Sequence, residues 1–494
     1  MVAEIYVRPR PSLAMKSFSY LLMMLWLSGC AVWGPDYEHP STDAPKGWHT
    51  QDPYALGGAT KLPEMAWWNK FSDPLLGQLV DRALERNNTV QSALGNVFKA
   101  KAILQQIEMN WVPTITAGAG YISTEQELNN TTLSSLPFPG FTAGFIPNYS
   151  INILQQLRTQ EQAQANIDAS IATKNAVRLA IISQMVGTYF TLREEEYRLD
   201  LQKKLVTALS EIVTAFETGY REGLISLYVL QQYKMNLANA KAEVPVIEYN
   251  IVNLGNTIHV LLNENPGAIA PGKSFMDFED KGIVSGNIPS TVLRNRPDVI
   301  QAEAVLKQSN ANIGINTSVF FPTVRLTTPL GLASSTVSNV YNQKDSYFQY
   351  QGGFSMPVIN LGAFGAIKSA KGQYYADYYA YVEVVRKAFA SVDSDFSAHQ
   401  KYTDSLTQML GFYDATRNKY EYQTTRFREG LVAAPDVLTL RATLNEAGIQ
   451  VARTKLNQLL SIVRLYQDMG GGYLYKDNED AHDLGEGRRF GDLF

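Results

Sequence analysis

The residue best placed to do chemistry is Cys30, the only cysteine in 494 residues, at the end of an apolar run where a thiol can be acylated. A lone cysteine forms no intrachain disulfide and no thiolate zinc cluster. The five histidines, His39, His49, His259, His399 and His482, are scattered without metal-ligand spacing. No nucleophile stands with a general base, and nothing in the chain requires catalysis. The acidic run Glu194-Glu195-Glu196 is expected to be a solvated helix face. Asp436 follows Pro435 at the start of a helical stretch, where a carboxylate serves as a cap or a helix-dipole partner. With 43 basic and 47 acidic residues the net charge is −4, which excludes binding driven by phosphate neutralisation. Charged residues make up only 18%. Small polar residues and 27 tyrosines stand in their place, a mixture suited to large polar surfaces that touch other chains or enclose water.

Cys30 has a context. Met15-Lys16 opens a short cationic region, Phe18 to Leu27 is apolar, and Leu27-Ser28-Gly29-Cys30 closes it with small residues. Residues 1–29 therefore read as a signal peptide, too short to remain as a membrane-spanning helix. Residues 1–14 form an upstream extension if translation starts at Met15. The Leu-Ser-Gly-Cys ending resembles a bacterial lipobox, which makes Cys30 the lipidated mature N-terminus. Ala31, where an aspartate would favour inner-membrane retention, favours sorting to the outer membrane. No later stretch reaches the ~18 apolar residues of a membrane helix, so any crossing must be made by strands.

The elements that would position these residues occur twice. Val112-Pro113-Thr114 returns as Phe321-Pro322-Thr323, 209 positions later. Arg221-Glu222-Gly223-Leu224 returns as Arg428-Glu429-Gly430-Leu431, 207 positions later. The spacing is too long for a solenoid and indicates a duplicated half. The implied organisation is an N-terminal lipid-anchored and equatorial segment 30–73, a first repeat 74–262, a connector 263–289, a second repeat 290–467 and a C-terminal equatorial segment 468–494.

Each repeat opens with a helical stretch, Pro74 to Asn110 and then Pro289 to Ser318. A β-hairpin follows, at about 113–157 and about 322–360. Ile115, Ala117, Ala119 and Tyr121 alternate with Thr114, Thr116, Gly118 and Gly120; Tyr149, Ile151 and Ile153 continue the pattern. In the second hairpin Val324, Leu326, Leu330 and Leu332, then Phe348, Tyr350, Phe354, Met356 and Val358, alternate with polar or small residues. Four strands of about ten residues suit a tilted bilayer crossing, though a soluble β-sandwich layer has the same pattern. Closed barrels need about eight strands, and open edges in lipid cost several kcal/mol per unpaired group. Membrane strands here therefore require oligomerisation, and three copies supply twelve. Long helical stretches follow, Thr159 to about Tyr220 and Ala363 to about Phe427, with turns near 220–229 and 427–436. Leu205, Leu209, Ile212 and Phe216, and later Val437, Leu440, Leu444, Ala447 and Val451, are spaced like coiled-coil seams.

The whole mature chain resembles the outer membrane efflux lipoproteins, the TolC-like, OprM/NodT-type ducts of Gram-negative tripartite pumps. The resemblance rests on the lipobox, Gly34-Pro35-Asp36-Tyr37, Trp67-Trp68 with Phe71 and Asp73-Pro74-Leu75, and Leu293-Arg294-Asn295-Arg296-Pro297-Asp298-Val299. Ala311-Asn312-Ile313-Gly314, Phe320-Phe321-Pro322 and Met469-Gly470-Gly471-Gly472-Tyr473 complete it. The family implies a homotrimer with a twelve-stranded outer-membrane β-barrel and a twelve-helix periplasmic α-barrel. It implies a passive duct for drugs or other toxic compounds, docked to a periplasmic adaptor and an inner-membrane pump. No enzyme activity, nucleic-acid partner or cofactor beyond the covalent lipid on Cys30 is implied. A related type I protein-secretion duct, or a periplasmic coiled-coil lipoprotein without a pore, are the alternatives; the lipobox and the Arg-Pro-Asp run favour efflux.

Carried over by position, the periplasmic gate and adaptor contact fall on Gly223, Leu224, Phe427, Gly430, Leu431 and Val432, and the entrance ring on Asp436. Relatives lock the closed end with a tyrosine, an arginine and an aspartate. The matching positions here are Phe427, Val432 and the Tyr228/Val229 pair, so that lock cannot form. The second acidic position of the ring is Thr439. The first hairpin ends in Ile153-Leu154-Gln155-Gln156-Leu157-Arg158 in place of the family's Asp-Leu-Phe-Gly-Arg-type run.

Overall fold

The fold is taken from a computed structural model, which describes residues 34–40, 47–50, 53–54, 61–122, 140–279, 290–328, 330–334, 346–348 and 351–477. The signal peptide and Cys30 lie outside the described residues. In chain order the elements are α1 (Pro74–Arg86), α2 (Asn88–Glu108), β1 (Thr114–Ile122), β2 (Gly140–Asn152), α3 (Ile153–Arg221) and α4 (Leu227–Leu261). Then come α5 (Pro297–Thr317), β3 (Thr323–Thr327), β4 (Leu330–Ser334), β5 (Ser346–Phe348), β6 (Gln351–Ser355), α6 (Leu361–Arg428) and α7 (Ala434–Asp468). Among the described residues no helix is long and apolar enough to cross a membrane. The chain divides into two compact units: Met1–Pro40 with Phe98–Ala169 and Ala302–Tyr381, and Ser41–Val97 with Ser170–Gln301 and Val382–Phe494.

The first unit is built on an antiparallel sheet. β2 pairs β1 on one side, and on the other both β3 and β4; β6 pairs β3 and β5 pairs β4. The six segments thus trace four paths. Where the second hairpin was expected as two strands, its described residues fall into β3 and β4 on one path and β5 and β6 on the other. The register sorts the side chains as the alternation anticipates. Ile115 lies opposite Pro147 and Ala117 opposite Phe145, Tyr149 faces Leu326, and Val324 faces Phe354, all on one face. Thr114 with Asn148 and Arg325 with Ser150 lie on the other. Among the described residues of the apolar face, Ile115, Tyr121, Phe145, Leu326 and Phe354 are exposed, while Ile151, next to α3, is buried. Gly144 and Gly331 lie opposite each other, and a Cβ on either would sit 2.3–2.4 Å from a backbone oxygen across the ladder. Only glycine permits that approach.

The strand-to-helix switch comes earlier than the alternation suggested. Ile153 is helical, because the Asn152 side chain accepts from Gln155 N at 3.0 Å and caps α3. Its amide also donates to Ser318 O and Phe321 O at 2.8 and 3.1 Å, tying the first hairpin to the end of α5. Asn360 caps α6 in the same way, and the strand expected to reach Val358 stops at Ser355. Residues 34–40 lie along α5 and α3: Asn310 Nδ2 donates to Pro35 O at 3.0 Å, Arg158 Nη2 to Asp36 at 3.2 Å, and Tyr37 OH to Glu303 at 3.2 Å.

The second unit carries the aromatic core and both helical hairpins. The expected helix over 74–110 is two helices, because buried Asn87 breaks it. Its Oδ1 accepts from Thr89 N and Val90 N, and its Nδ2 donates to Leu261 O at 2.9 Å. Asp73 caps α1 through Leu75 N and receives the Tyr189 hydroxyl at 2.5 Å. Trp67 stacks on Tyr466 at 4.7 Å between ring centroids, while Gly471 and Gly472 pack beside Trp67 and Trp68. The glycine-rich ending is therefore a packing element. α3 and α6 have 69 and 68 residues, and α4 and α7 have 35 each. At 1.5 Å per residue the longer pair extend about 100 Å. The seam Leu205, Leu209, Ile212 and Phe216 is buried with Ala208, Leu230, Ala240 and Ala442, so α3, α4 and α7 share one core. Pro245 sits inside α4.

The acidic run corrects the sequence reading. Glu194 and Glu195 are 2% and 7% exposed, not solvated. Arg198 pairs with Glu195 at 2.5 Å, Asn250 donates to Glu195 at 3.2 Å, and Arg193 bridges Glu196 and the Ala270 carbonyl. Glu194 Oε1 is buried without a hydrogen bond. Burial, opposed by Arg198 and reinforced by Glu195, pushes its carboxyl up to about 7.

Candidate functional site

The two Arg-Glu-Gly-Leu sequences end α3 and α6 with the same hydrogen bonds. Gly223 N donates to Tyr220 O at 3.0 Å and Leu224 N to Gly219 O at 2.8 Å. Gly430 N donates to Phe427 O and Leu431 N to Arg426 O, both at 2.9 Å. Both glycines have φ of 75°, the left-handed conformation of a Schellman C-cap. The chain then reverses and begins the return helix within a few residues. The two returns start differently. Ser226 caps α4 by accepting from Val229 N at 3.3 Å. At α7 the cap position is Ala433, which has no side-chain acceptor, and Pro435 lies in the first turn.

Asp436 is the acidic residue of that first turn. Of the two roles expected for it, the cap is not met, since no side chain caps α7, while a place in the first turn is that of a helix-dipole partner. Its carboxylate is exposed and has neither hydrogen bond nor ion pair among the described residues. Thr439 is engaged elsewhere: its hydroxyl donates to Pro435 O at 2.8 Å and lies 3.3 Å from the Tyr233 hydroxyl of α4. That contact, and an ion pair between Arg441 of α7 and Glu211 of α3, place the two hairpin turns at the same end of the helical unit.

Around the turns the apolar residues are bare. Leu224 is 74% and Leu431 60% exposed, and Phe427 and Tyr228 are also exposed. Val432 is half-buried. Beneath them Phe216 meets Tyr233 edge-on at 4.8 Å, closing the core before the turn begins. Among charged groups, Lys234 pairs with Glu217 at 2.7 Å and holds that carboxyl below its ordinary range. The structure thus brings Gly223, Leu224, Phe427, Gly430, Leu431, Val432 and Asp436 to one end. Among the described residues no polar lock joins these positions. Sequence reading missed the Thr439–Tyr233 link; two hydroxyls from distant helices carry no local signal.

One chain thus carries an antiparallel sheet with a largely exposed apolar face and two long helical hairpins. The family model for Outer membrane efflux protein matches residues 79–264 and 288–471, and the chain belongs to that family. It is 26% identical over 467 residues to the solvent efflux pump outer membrane protein SrpC of Pseudomonas putida, covering 93% of this chain and 98% of that one. It is 24% identical over 470 residues to nodulation protein T of Rhizobium leguminosarum bv. trifolii, covering 91% and 96%. Its fold matches the open state of the Neisseria gonorrhoeae MtrE outer membrane channel with a TM-score of 0.77 at 22% identity, over 89% of this chain and 98% of that one.

Proposed function

We propose that the chain is one third of a trimeric outer-membrane exit duct for an efflux pump. The observation that carries this reading is the four-path sheet, whose apolar face is largely exposed and whose two outer edges pair with no further strand among the described residues. Lipid is the solvent that suits such a face, and edges in lipid must be paired. Three copies side by side pair every edge and close twelve strands, within the range of outer-membrane barrels. The four long helices of each copy then supply twelve staves below the barrel, and the matching element lengths of the two halves fit a duplication. A lipid on Cys30 adds a second anchor. The duct is passive, so energy and docking come from an inner-membrane pump and a periplasmic adaptor that meets the turns at Gly223–Leu224 and Gly430–Val432. Solvent-like small molecules are the cargo to test first.

Three copies of Asp436 around one axis form a carboxylate ring at the entrance, attracting cations and repelling anions. The bare Leu224, Phe427 and Leu431 close it by packing between copies. In mild detergent the particle is expected at three times the protomer mass; a folded, membrane-inserted monomer would refute the duct. In planar bilayers Asp436→Asn is expected to lower cation selectivity and weaken block by multivalent cations from the periplasmic side, with little change in stability. Selectivity and block both unchanged would remove Asp436 from the entrance.

A further inference from the structure

Several charged groups serve neither the duct nor the turns. The most constrained lies where Arg296, just ahead of α5, meets α6 and the end of α7. Arg296 holds Asp298 through two parallel hydrogen bonds, Nε to Oδ1 at 3.0 Å and Nη2 to Oδ2 at 2.8 Å. Its remaining nitrogen donates to Ser391 Oγ of α6 at 3.3 Å and to the Asp468 carbonyl that ends α7. The Asp468 carboxylate is 3.9 Å from the same nitrogen. One turn beyond Ser391 stands Asp395, whose Oδ2 is buried without a hydrogen bond and whose carboxyl adjoins that of Asp468.

The charges do not balance. Three carboxyls, Asp298, Asp395 and Asp468, face two guanidiniums, Arg296 and Arg464, and Asp298 already occupies one fork of Arg296. The C-terminus of α7 adds its negative dipole end. Two other titratable groups of α6 are engaged elsewhere. Asp393 accepts from Thr50 N and Oγ1, and His399 turns its ring toward Tyr54.

We propose that Asp395 and Asp468 share one proton, forming a latch that holds α6 to α7 at the root of the second hairpin and releases when the proton is lost. Two adjacent carboxylates cannot both ionise cheaply when one of them is buried, and the shared proton converts their repulsion into a hydrogen bond. Burial first, and the neighbouring Asp468 second, push Asp395 up to about 7, so the latch titrates in the physiological range. The sign follows: the native state retains a proton that the unfolded chain gives up, so stability is greatest at low pH and falls as pH rises toward and through about 7. α7 runs unbroken from Asp468 back to Asp436, so loosening its root loosens the helix that carries the entrance carboxylate. This last step rests on the duct reading; the latch itself does not.

Two measurements separate them. In detergent, the melting midpoint of the wild-type protein is expected to fall by roughly 3 °C or more between about pH 5.5 and 8.5. Asp395→Asn and Asp468→Asn, which remove the repulsion in near-isosteric form, are expected to flatten most of that fall and to be more stable than wild type at the upper pH. Glu194→Gln, which removes a raised carboxyl elsewhere in the helices, is expected to leave the Asp395 contribution in place. If both asparagine variants keep the full wild-type slope, the shared proton is refuted. In planar bilayers the open fraction of wild-type channels is expected to rise with pH, and that of Asp395→Asn to stay flat. A pH response that survives the substitution overturns the latch as a control of the entrance. Failure to form any channel overturns the duct, and the conduction half of the proposal with it.

Discussion

The two helical hairpins reverse through the same turn and then diverge. Gly223 and Gly430 share one φ, and the residues one turn before each reversal, Tyr220 and Phe427, are both exposed aromatics. Past the glycine the first hairpin secures its return helix with Ser226, while the second has Ala433, Pro435 and an unpartnered Asp436. Gln232 of the first hairpin donates along its own helix to Asn236, but its counterpart Thr439 reaches across to Tyr233. Backbone geometry is thus the same at both turns, while the side-chain chemistry differs between them. One turn is the better capped, and the other carries the free charge.

The comparison breaks most sharply if the two glycines are not equivalent. A β-branched residue in the left-handed region costs at least the ~1–2 kcal/mol of that conformation. Gly223→Val and Gly430→Val are therefore expected to destabilise by about the same amount, read as equal falls in denaturation midpoint. A much larger loss at one would show that only that turn is tightly held. The caps come next. Ser226→Ala is expected to lose ~1 kcal/mol, and Ala433→Ser to gain a fraction of that, since it supplies the acceptor that α7 lacks. A stabilising Ser226→Ala would mean that the hairpins differ for another reason. The smallest effect is at the link: Tyr233→Phe is expected to cost ~0.5–1 kcal/mol, and the same substitution on a Thr439→Val background almost nothing. Additive losses in that double-mutant cycle would show that the two hydroxyls do not interact.

The same contrast governs how much could be read from the chain. The Gly-centred turns, the helix lengths and the alternation in β1 and β2 depend on local residue types, and these were legible. The break at Asn87 was not, because a buried asparagine earns its role only when Leu261, far along the chain, supplies a carbonyl. Glu194 and Glu195 look like a wet helix face in one dimension. They are buried because Asn250 and the segment around Ala270 fold over that side of α3. Asp436 after Pro435 has the signature of a cap, yet the cap position falls three residues earlier at Ala433. Site residues were placed by resemblance, and their lack of partners in the protomer emerged only from the fold.

One further consequence lies in the helix lengths, 69 and 68 residues going out and 35 returning in each half. Each residue added to a helix advances it 1.5 Å and rotates everything beyond by about 100°. A one-residue deletion in α3 alone would therefore swing Leu224 a quarter-turn or more away and withdraw it from the level of Leu431, even though both turns stayed intact. Insertions and deletions in one hairpin are tolerable only near whole turns, or when matched in the other. Length, in these helices, is under the same constraint that sequence identity imposes at a binding site.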